Sequence, residues 1–456
     1  MKIAIVGAGG VRTPLLVQAV LIRRERLGAD ELAVMDIDSE RLDLMRQVTL
    51  PLEEASRGVL RLSYTTSARE ALHEADFVIT TFRVGGMESR VIDERVPLAR
   101  GVLGQETTGP GGFAMAMRTL PVLFEYLAQM RELCPNAWLV NFANPAGLLT
   151  EALRGAGGWK RAVGICDAPS GMRRAAAALL GTTAEHVHFG YFGLNHLGWV
   201  RSLVYRGEDV LPRFMVMLRE GASMPGLPFD SAFVARLGMI PNEYLYYYYH
   251  SREAVANILR GGETRGEYLV RINQGLFTAL RDASARHAVA EMVAAYGAYM
   301  HQRGHTYMAS ETGHTDLLAK ADPAVVAALA AEGYAGVALD LIEGLRGSAP
   351  REMILNIPNE DAIHGMASSD VVEIPAAVSA DSIRPFTVGD VPGHCLGLML
   401  QVKSYEQLTI RAALEHSHGL AVSALALHPL VGDVPTARLL VDEYREKHGA
   451  LFPDLQ

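Results

Sequence analysis

The first third of the chain alternates short, mostly apolar runs with longer stretches of mixed polarity. Residues 2–6, 31–35, 77–81, 138–142 and 163–165 are the short runs. Their nearly continuous apolar character predicts strands buried on both faces. Residues 13–24, 39–47, 67–74 and 118–133 lie between or beside them, and their spacing predicts helices. Strands alternating with helices imply a parallel, doubly wound sheet. After about residue 170 the pattern changes. Residues 187–192 and 199–205 predict antiparallel strands flanking Gly193-Leu194-Asn195-His196, and helices are expected over 267–283 and 287–301. The chain is therefore expected to be α/β, with one domain over 1–170 and an α+β domain over 171–456 that closes over the first. The polar tail from Asp442 to Gln456 is expected to be peripheral.

The opening unit carries more than a fold prediction. Gly7, Gly9 and Gly10 follow the first strand and precede the first helix. Free N–H groups and the helix dipole at such a turn stabilise pyrophosphate oxygens. The second strand ends at Asp36, whose carboxylate can accept hydrogen bonds from the ribose hydroxyls of NAD. This is a Rossmann-like unit. The third glycine of the usual fingerprint is replaced by Arg12, which could face a phosphate or be solvated. The plain alternative is a glycine turn that only packs a helix against a sheet.

Composition narrows the classes. With 456 residues, 49% hydrophobic and 20% charged, the chain can bury a large core, consistent with two domains. A net charge of −9 without a Lys/Arg run argues against nucleic acid and anionic membrane surfaces as partners. Three cysteines, Cys134, Cys166 and Cys395, suggest a reducing cytoplasm rather than a disulfide framework. With the first strand expected from residue 2, no signal peptide is expected, and no apolar run is long enough to predict a bilayer-spanning helix.

Several segments carry possible chemistry. Arg83, Asn144 and Cys166 lie at or just after expected strand ends, where ligands gather in such sheets. Cys166 and His196 could bind a divalent metal. A buried structural thiol and a hydrogen-bonded imidazole are the bland alternatives. Gly104-Gln105-Glu106-Thr107-Thr108-Gly109-Pro110-Gly111-Gly112 is too polar and glycine-rich for a core element and is expected to be an active-site loop. The tyrosine cluster from Tyr244 to Tyr249 is mostly packing, but one phenol could serve as a base. Arg265 precedes an expected helix, a suitable place to grip a phosphate.

Together these segments resemble glycoside hydrolase family 4, the NAD- and divalent-metal-dependent glycosidases, which depart from hydrolysis by paired carboxylates. The resemblance runs from the glycine turn through Arg83-Val84-Gly85-Gly86, the 104–112 segment, Asn144-Pro145-Ala146, and the Cys166, Asn195-His196 and Ile240-Pro241 segments. It is strongest to the bacterial branch acting on 6-phospho-β-glucosides. It implies oxidation of the sugar at carbon 3, removal of the carbon 2 proton, elimination of the aglycone, addition of water and return of the hydride. A phosphorylated disaccharide or glycoside would be the partner, in a cytoplasmic homodimer or homotetramer.

By this resemblance Cys166 and His196 match the metal positions, with Mn²⁺ the expected ion. Tyr244 is the expected base, with Tyr248 in reserve. Arg265 matches the 6-phosphate contact, Arg83 a sugar or phosphate contact, and Asn144 and Asn195 sugar hydroxyl contacts. Gly7, Gly9, Gly10 and Asp36 would hold NAD. One departure stands out: Asp167 follows the cysteine, where β-type members usually carry Asn and α-type members Asp. Asp167 could protonate the departing aglycone or bind a sugar hydroxyl. A 6-phospho-α-glucosidase is therefore one alternative. The other is a lactate/malate-type NAD dehydrogenase, which shares the overall architecture and would use His196 as proton acceptor without a metal.

Overall fold

Strand β1 (Lys2–Val6) is the pivot of the molecule. It pairs in parallel with β2 (Glu31–Met35) on one side and β4 (Phe77–Thr80) on the other. Beyond β2 lies β3 (Arg61–Thr65); beyond β4 lie β5 (Trp138–Asn141) and β6 (Ala162–Gly164), all parallel. The order 3-2-1-4-5-6 reverses direction between β1 and β4, and a crevice opens there at the strand ends. The computed structural model describes residues 1–55, 58–222, 224–313 and 323–456.

The expected strands and helices of the first third are present, several with shifted ends. The helix expected over 118–133 spans Gly109–Leu133. Residues 104–108 lie outside it, as the expected loop, while Gly109, Gly111 and Gly112 form its first turn. The reason is close approach: a Cβ on Gly112 would lie 2.0 Å from the Thr107 carbonyl oxygen. Only glycine lets the 104–108 segment fold back onto that turn.

The second half begins with a hairpin of β7 (Val187–Leu194) and β8 (Leu197–Tyr205), extended by β9 (Glu208–Asp209) and β10 (Ile240–Pro241). Helices Arg265–Ala285 and Val289–His305 follow as expected. The sheet then continues across the 170/171 division. Strand β11 (Arg351–Pro358) pairs antiparallel with β6 through Asn356 and Gly164, and β12 (Val371–Ser379) and β13 (Ser382–Pro385) complete nine strands.

The tail is not peripheral. Helix Val434–His448 buries Tyr444, and the residues after it bury Phe452 and Leu455. At its end His448 Nε2 meets the Asp93 carboxylate at 3.0 Å, and the same carboxylate receives both Nη groups of Arg118 at 2.6 and 2.7 Å. A buried ion pair and apolar rings outweigh the polar composition of this segment. Among the described residues no helix is long and apolar enough to cross a membrane.

Candidate functional site

The crevice at β1 begins with a backbone that accepts no side chain. Gly7 has φ +97°, and a Cβ there would sit 2.4 Å from the Phe82 nitrogen. Asp36, at the end of β2, accepts from the Gly9 N–H at 2.6 Å and the Asp38 N–H at 2.9 Å. The glycine turn and the acidic strand end are thus in direct contact, the juxtaposition a dinucleotide cradle needs. Gly10 is exposed at the mouth of the turn. Arg12 lies 3.8 Å from Asp167 and so leans across the crevice.

Opposite stands the tip of the β7–β8 hairpin. Leu194 and Leu197 pair, so Asn195 and His196 form a two-residue turn. His196 adopts φ 62°, a left-handed conformation that costs a residue other than glycine about 1 kcal/mol. Strand β10 hangs on β8, and the Asn242 N–H donates to the Gly198 carbonyl at 2.8 Å. This pairing carries Tyr244 onto His196. Their rings stack with centroids 3.5 Å apart and planes 10° apart.

Electrostatics draw the same group together. Burial pushes the Cys166 thiol well above its usual pKa, and Glu373 and Asp167 push it further. Burial lowers His196 to about 4, against the pull of Glu106 and Asp167. Its Nδ1 is buried without a hydrogen-bond partner. Tyr244 is raised well above 10 by burial, with Tyr307, Glu243, Cys166 and Asp167 adding to it. Tyr307 donates its hydroxyl to the Tyr244 oxygen. Tyr248, in contrast, lies against His428 and feels Glu406, away from this group.

The donor set suits a metal that substrate completes. Cys166 and His196 offer soft and borderline ligands, and the unpartnered, neutral imidazole is in the form that binds a metal. Among the described residues no three metal-ligating side chains cluster, so the remaining positions would fall to substrate oxygens or water.

Basic groups line the other side. Arg83 and Arg90 both pair with Glu106, Arg90 at 2.9 Å. Burial alone would raise the Glu106 carboxyl, but Arg90 and Arg83 outweigh it and hold it well below the usual range. Arg265 is buried and donates to the Thr306 and Arg303 carbonyl oxygens at 3.0 and 2.9 Å. Burial lowers its pKa, and neighbouring Arg90 lowers it further. Asn144, half-buried, precedes a cis bond to Pro145 just after β5.

Sequence reasoning missed Arg90, Glu243, Tyr307, Asn356 and Glu373. Glu373 had a signal: it is a lone charge within Val371-Val372-Glu373-Ile374-Pro375, an otherwise apolar run. Burial raises it to about 7, although Tyr191, Asn195 and Asn356 donate to it. Glu243 is likewise raised to about 7 by burial.

Comparison with known proteins covers nearly the whole chain. The sequence model described as family 4 glycosyl hydrolase matches residues 2–182, and that of the family 4 glycosyl hydrolase C-terminal domain matches 191–431. A 6-phospho-beta-glucosidase of Escherichia coli is 29% identical over 100% of this chain and 96% of its own. The solved 6-phospho-beta glucosidase of Thermotoga maritima, with NAD and glucose-6-phosphate, superposes with TM-score 0.84 at 29% identity, covering 100% of both chains. A 6-phospho-alpha-glucosidase from gut microorganisms, with NAD and Mn2+, gives TM-score 0.84 at 27% identity over 100% of this chain and 99% of that one.

Proposed function

Because this chain belongs to the family 4 glycosyl hydrolases, we propose that it hydrolyses 6-phospho-glycosides, 6-phospho-β-glucosides foremost, with NAD and a divalent metal such as Mn²⁺. The observation that carries this reading is the Tyr244–His196 stack, with the His196 Nδ1 buried and unpartnered and the Tyr244 phenol within electrostatic reach of Cys166. An ordinary dehydrogenase needs neither the thiol nor the stacked phenol.

When bound, NAD would supply reversible oxidation of the sugar at carbon 3, and a divalent metal would supply Lewis acidity at sugar oxygens. The protein does the rest. Gly7, Gly9 and Gly10 let the backbone approach the pyrophosphate, and Asp36 faces the adenosine ribose. Cys166 and His196 would hold the metal. Tyr244 takes the carbon 2 proton at its phenol oxygen, which receives the Tyr307 hydroxyl hydrogen. Burial and Tyr307 both raise the pKa of that phenol, so the charge of a metal held at His196 would be what favours the phenolate a base requires. Asp167, 38% exposed, can hand a proton to the aglycone oxygen as the bond from carbon 1 breaks. Water then adds at carbon 1 and the proton at carbon 2 is restored. Arg265 and Arg83 neutralise the 6-phosphate, and Asn144 and Asn195 bind sugar hydroxyls.

Asp167 is also the observation favouring the α-anomer. Because the carbon 3 oxidation and carbon 2 deprotonation occur away from the anomeric centre, the same residues accommodate either configuration. The test is hydrolysis of the p-nitrophenyl α- and β-glucoside 6-phosphates with and without NAD⁺ and Mn²⁺. Release that needs both additions, faster for the β-anomer, supports the reading. Net NADH accumulation without phenol release would overturn it in favour of a dehydrogenase.

A further inference from the structure

Glu373 lies on β12, and its carboxylate is buried under the hairpin tip. Its Oε1 accepts from Asn195 Nδ2 at 3.3 Å and from Asn356 Nδ2 at 3.1 Å. Its Oε2 accepts from the Tyr191 hydroxyl at 2.8 Å. Tyr191 in turn accepts from Asn242 Nδ2 at 3.3 Å, and Asn242 Oδ1 accepts from the Tyr244 N–H at 3.0 Å. Every bond in this chain runs toward Glu373. A carboxylate only accepts, so it is the one end point that satisfies donors arriving from both sides.

The consequence lies in what the two amides leave over. With both Nδ2 groups turned to Glu373, Asn195 Oδ1 and Asn356 Oδ1 are buried and without a partner. A buried carbonyl oxygen left bare costs about 1–3 kcal/mol, and a hydroxyl donor from a ligand would recover it. The two amides are close: a Cβ on Gly147 would lie 3.1 Å from Asn195 Cβ and 3.4 Å from Asn356 Oδ1. They belong to different halves of the chain, on the hairpin tip and on β11.

We propose that Glu373 is a positioning residue that sets which way Asn195 and Asn356 present their amides, so that hydroxyl-rich ligands meet acceptors, while anchoring the Asn242–Tyr244 segment from its other oxygen. It acts through these neighbours and touches no reacting atom. The ligand chosen for its test rests on the sugar-phosphate reading above; the hydrogen-bond logic does not.

Replacing the carboxylate by an amide, Glu373→Gln, introduces a donor where only acceptors serve. Either the Tyr191 hydroxyl loses its acceptor or an asparagine turns its N–H₂ toward the ligand. Asn195→Asp sets two carboxylates face to face. The double variant Asn195→Asp/Glu373→Gln restores a donor–acceptor pair with its direction reversed. Glucose 6-phosphate binding by calorimetry is expected to weaken about tenfold or more in each single variant, and the double variant should bind at least about tenfold tighter than the product of the two losses predicts. Losses that simply multiply overturn the proposal, since a space-filling role gives no rescue. If Glu373→Gln alone does not fold, a cooperatively melting double variant supports the pairing and an unfolded one overturns it. If the wild type binds no glucose 6-phosphate, the functional reading fails. The positioning role is then judged by thermal midpoints of the same four proteins, where recovery in the double variant supports it and additive losses reject it.

Discussion

The Tyr244 ring lies flat on the His196 imidazole, with 3.5 Å between centroids. One contact thus joins the expected base to an expected metal ligand. It exists because β10 pairs with β8, and β8 begins one residue after His196. A metal on the imidazole would therefore place its charge against the phenol and draw down a pKa that burial otherwise holds high.

Tyr244→Phe keeps the stacked ring and removes the proton acceptor. Turnover of a p-nitrophenyl glucoside 6-phosphate is expected to fall about 10²–10⁴-fold, with NAD affinity unchanged. Exchange of the carbon 2 proton with deuterated solvent, followed by NMR, should fall in parallel. Tyr248→Phe should lower neither by more than about twofold, because its ring lies toward His428 rather than His196. The reverse ranking would move the base to Tyr248.

Cys166→Ser is expected to abolish turnover while leaving nucleotide binding intact, as read by fluorescence titration. In the wild type the thiol must lose a proton when a metal binds, and burial holds that proton tightly. His196, lowered to about 4, is already neutral above about pH 5 and contributes no proton. Mn²⁺ affinity should therefore rise about tenfold per pH unit from pH 6 to 9, with one proton released. A flat profile would remove the thiol from the ligand set.

His428 gives a pH dependence remote from the proposed catalytic group. It is buried, its Nδ1 accepts the Leu430 N–H at 3.1 Å, and burial lowers its pKa from 6.5 to about 3. The folded state holds it neutral. Its contribution is complete above pH 6.5 and is lost as the pH falls toward 3, where protonation favours the unfolded chain. The urea midpoint should fall between pH 7 and 4.5, and His428→Asn should shrink that fall. An undiminished fall would assign acid sensitivity elsewhere.

Asp93 holds the tail to the core. Asp93→Asn leaves the buried Arg118 guanidinium without its counter-charge and is expected to cost about 3–5 kcal/mol. Deleting residues 442–456 removes His448 with the Tyr444 and Phe452 rings and should lower the thermal midpoint as well. A truncated protein with the wild-type midpoint would restore a peripheral tail.

Local order made much of this legible. The first strand, the glycine turn, the first helix and the strand ending at Asp36 are contiguous, and each is specified by its own spacing and backbone freedom. The turn carrying Asn195 and His196 was legible for the same reason, flanked by two alternating runs that pair directly. The 104–112 segment was half legible. Its glycines announced close backbone approach, but whether that approach made a loop or a helical first turn depended on Gln105 and Thr107 folding back upon it.

The sequence by itself determined the elements of the first third, the cradle at β1 and the residue types from which the chemistry is built, because these rest on interactions between near neighbours in the chain. Only the tertiary structure decided that β11 and β12 continue the sheet past β6 and bring Glu373 beneath Tyr191 and Asn195. It also decided that His448 closes on Asp93 and that Tyr244, rather than Tyr248, meets His196. Strand pairing and helix packing at long separation are selected by burial and hydrogen-bond satisfaction over the whole molecule, and no local periodicity records which partner wins.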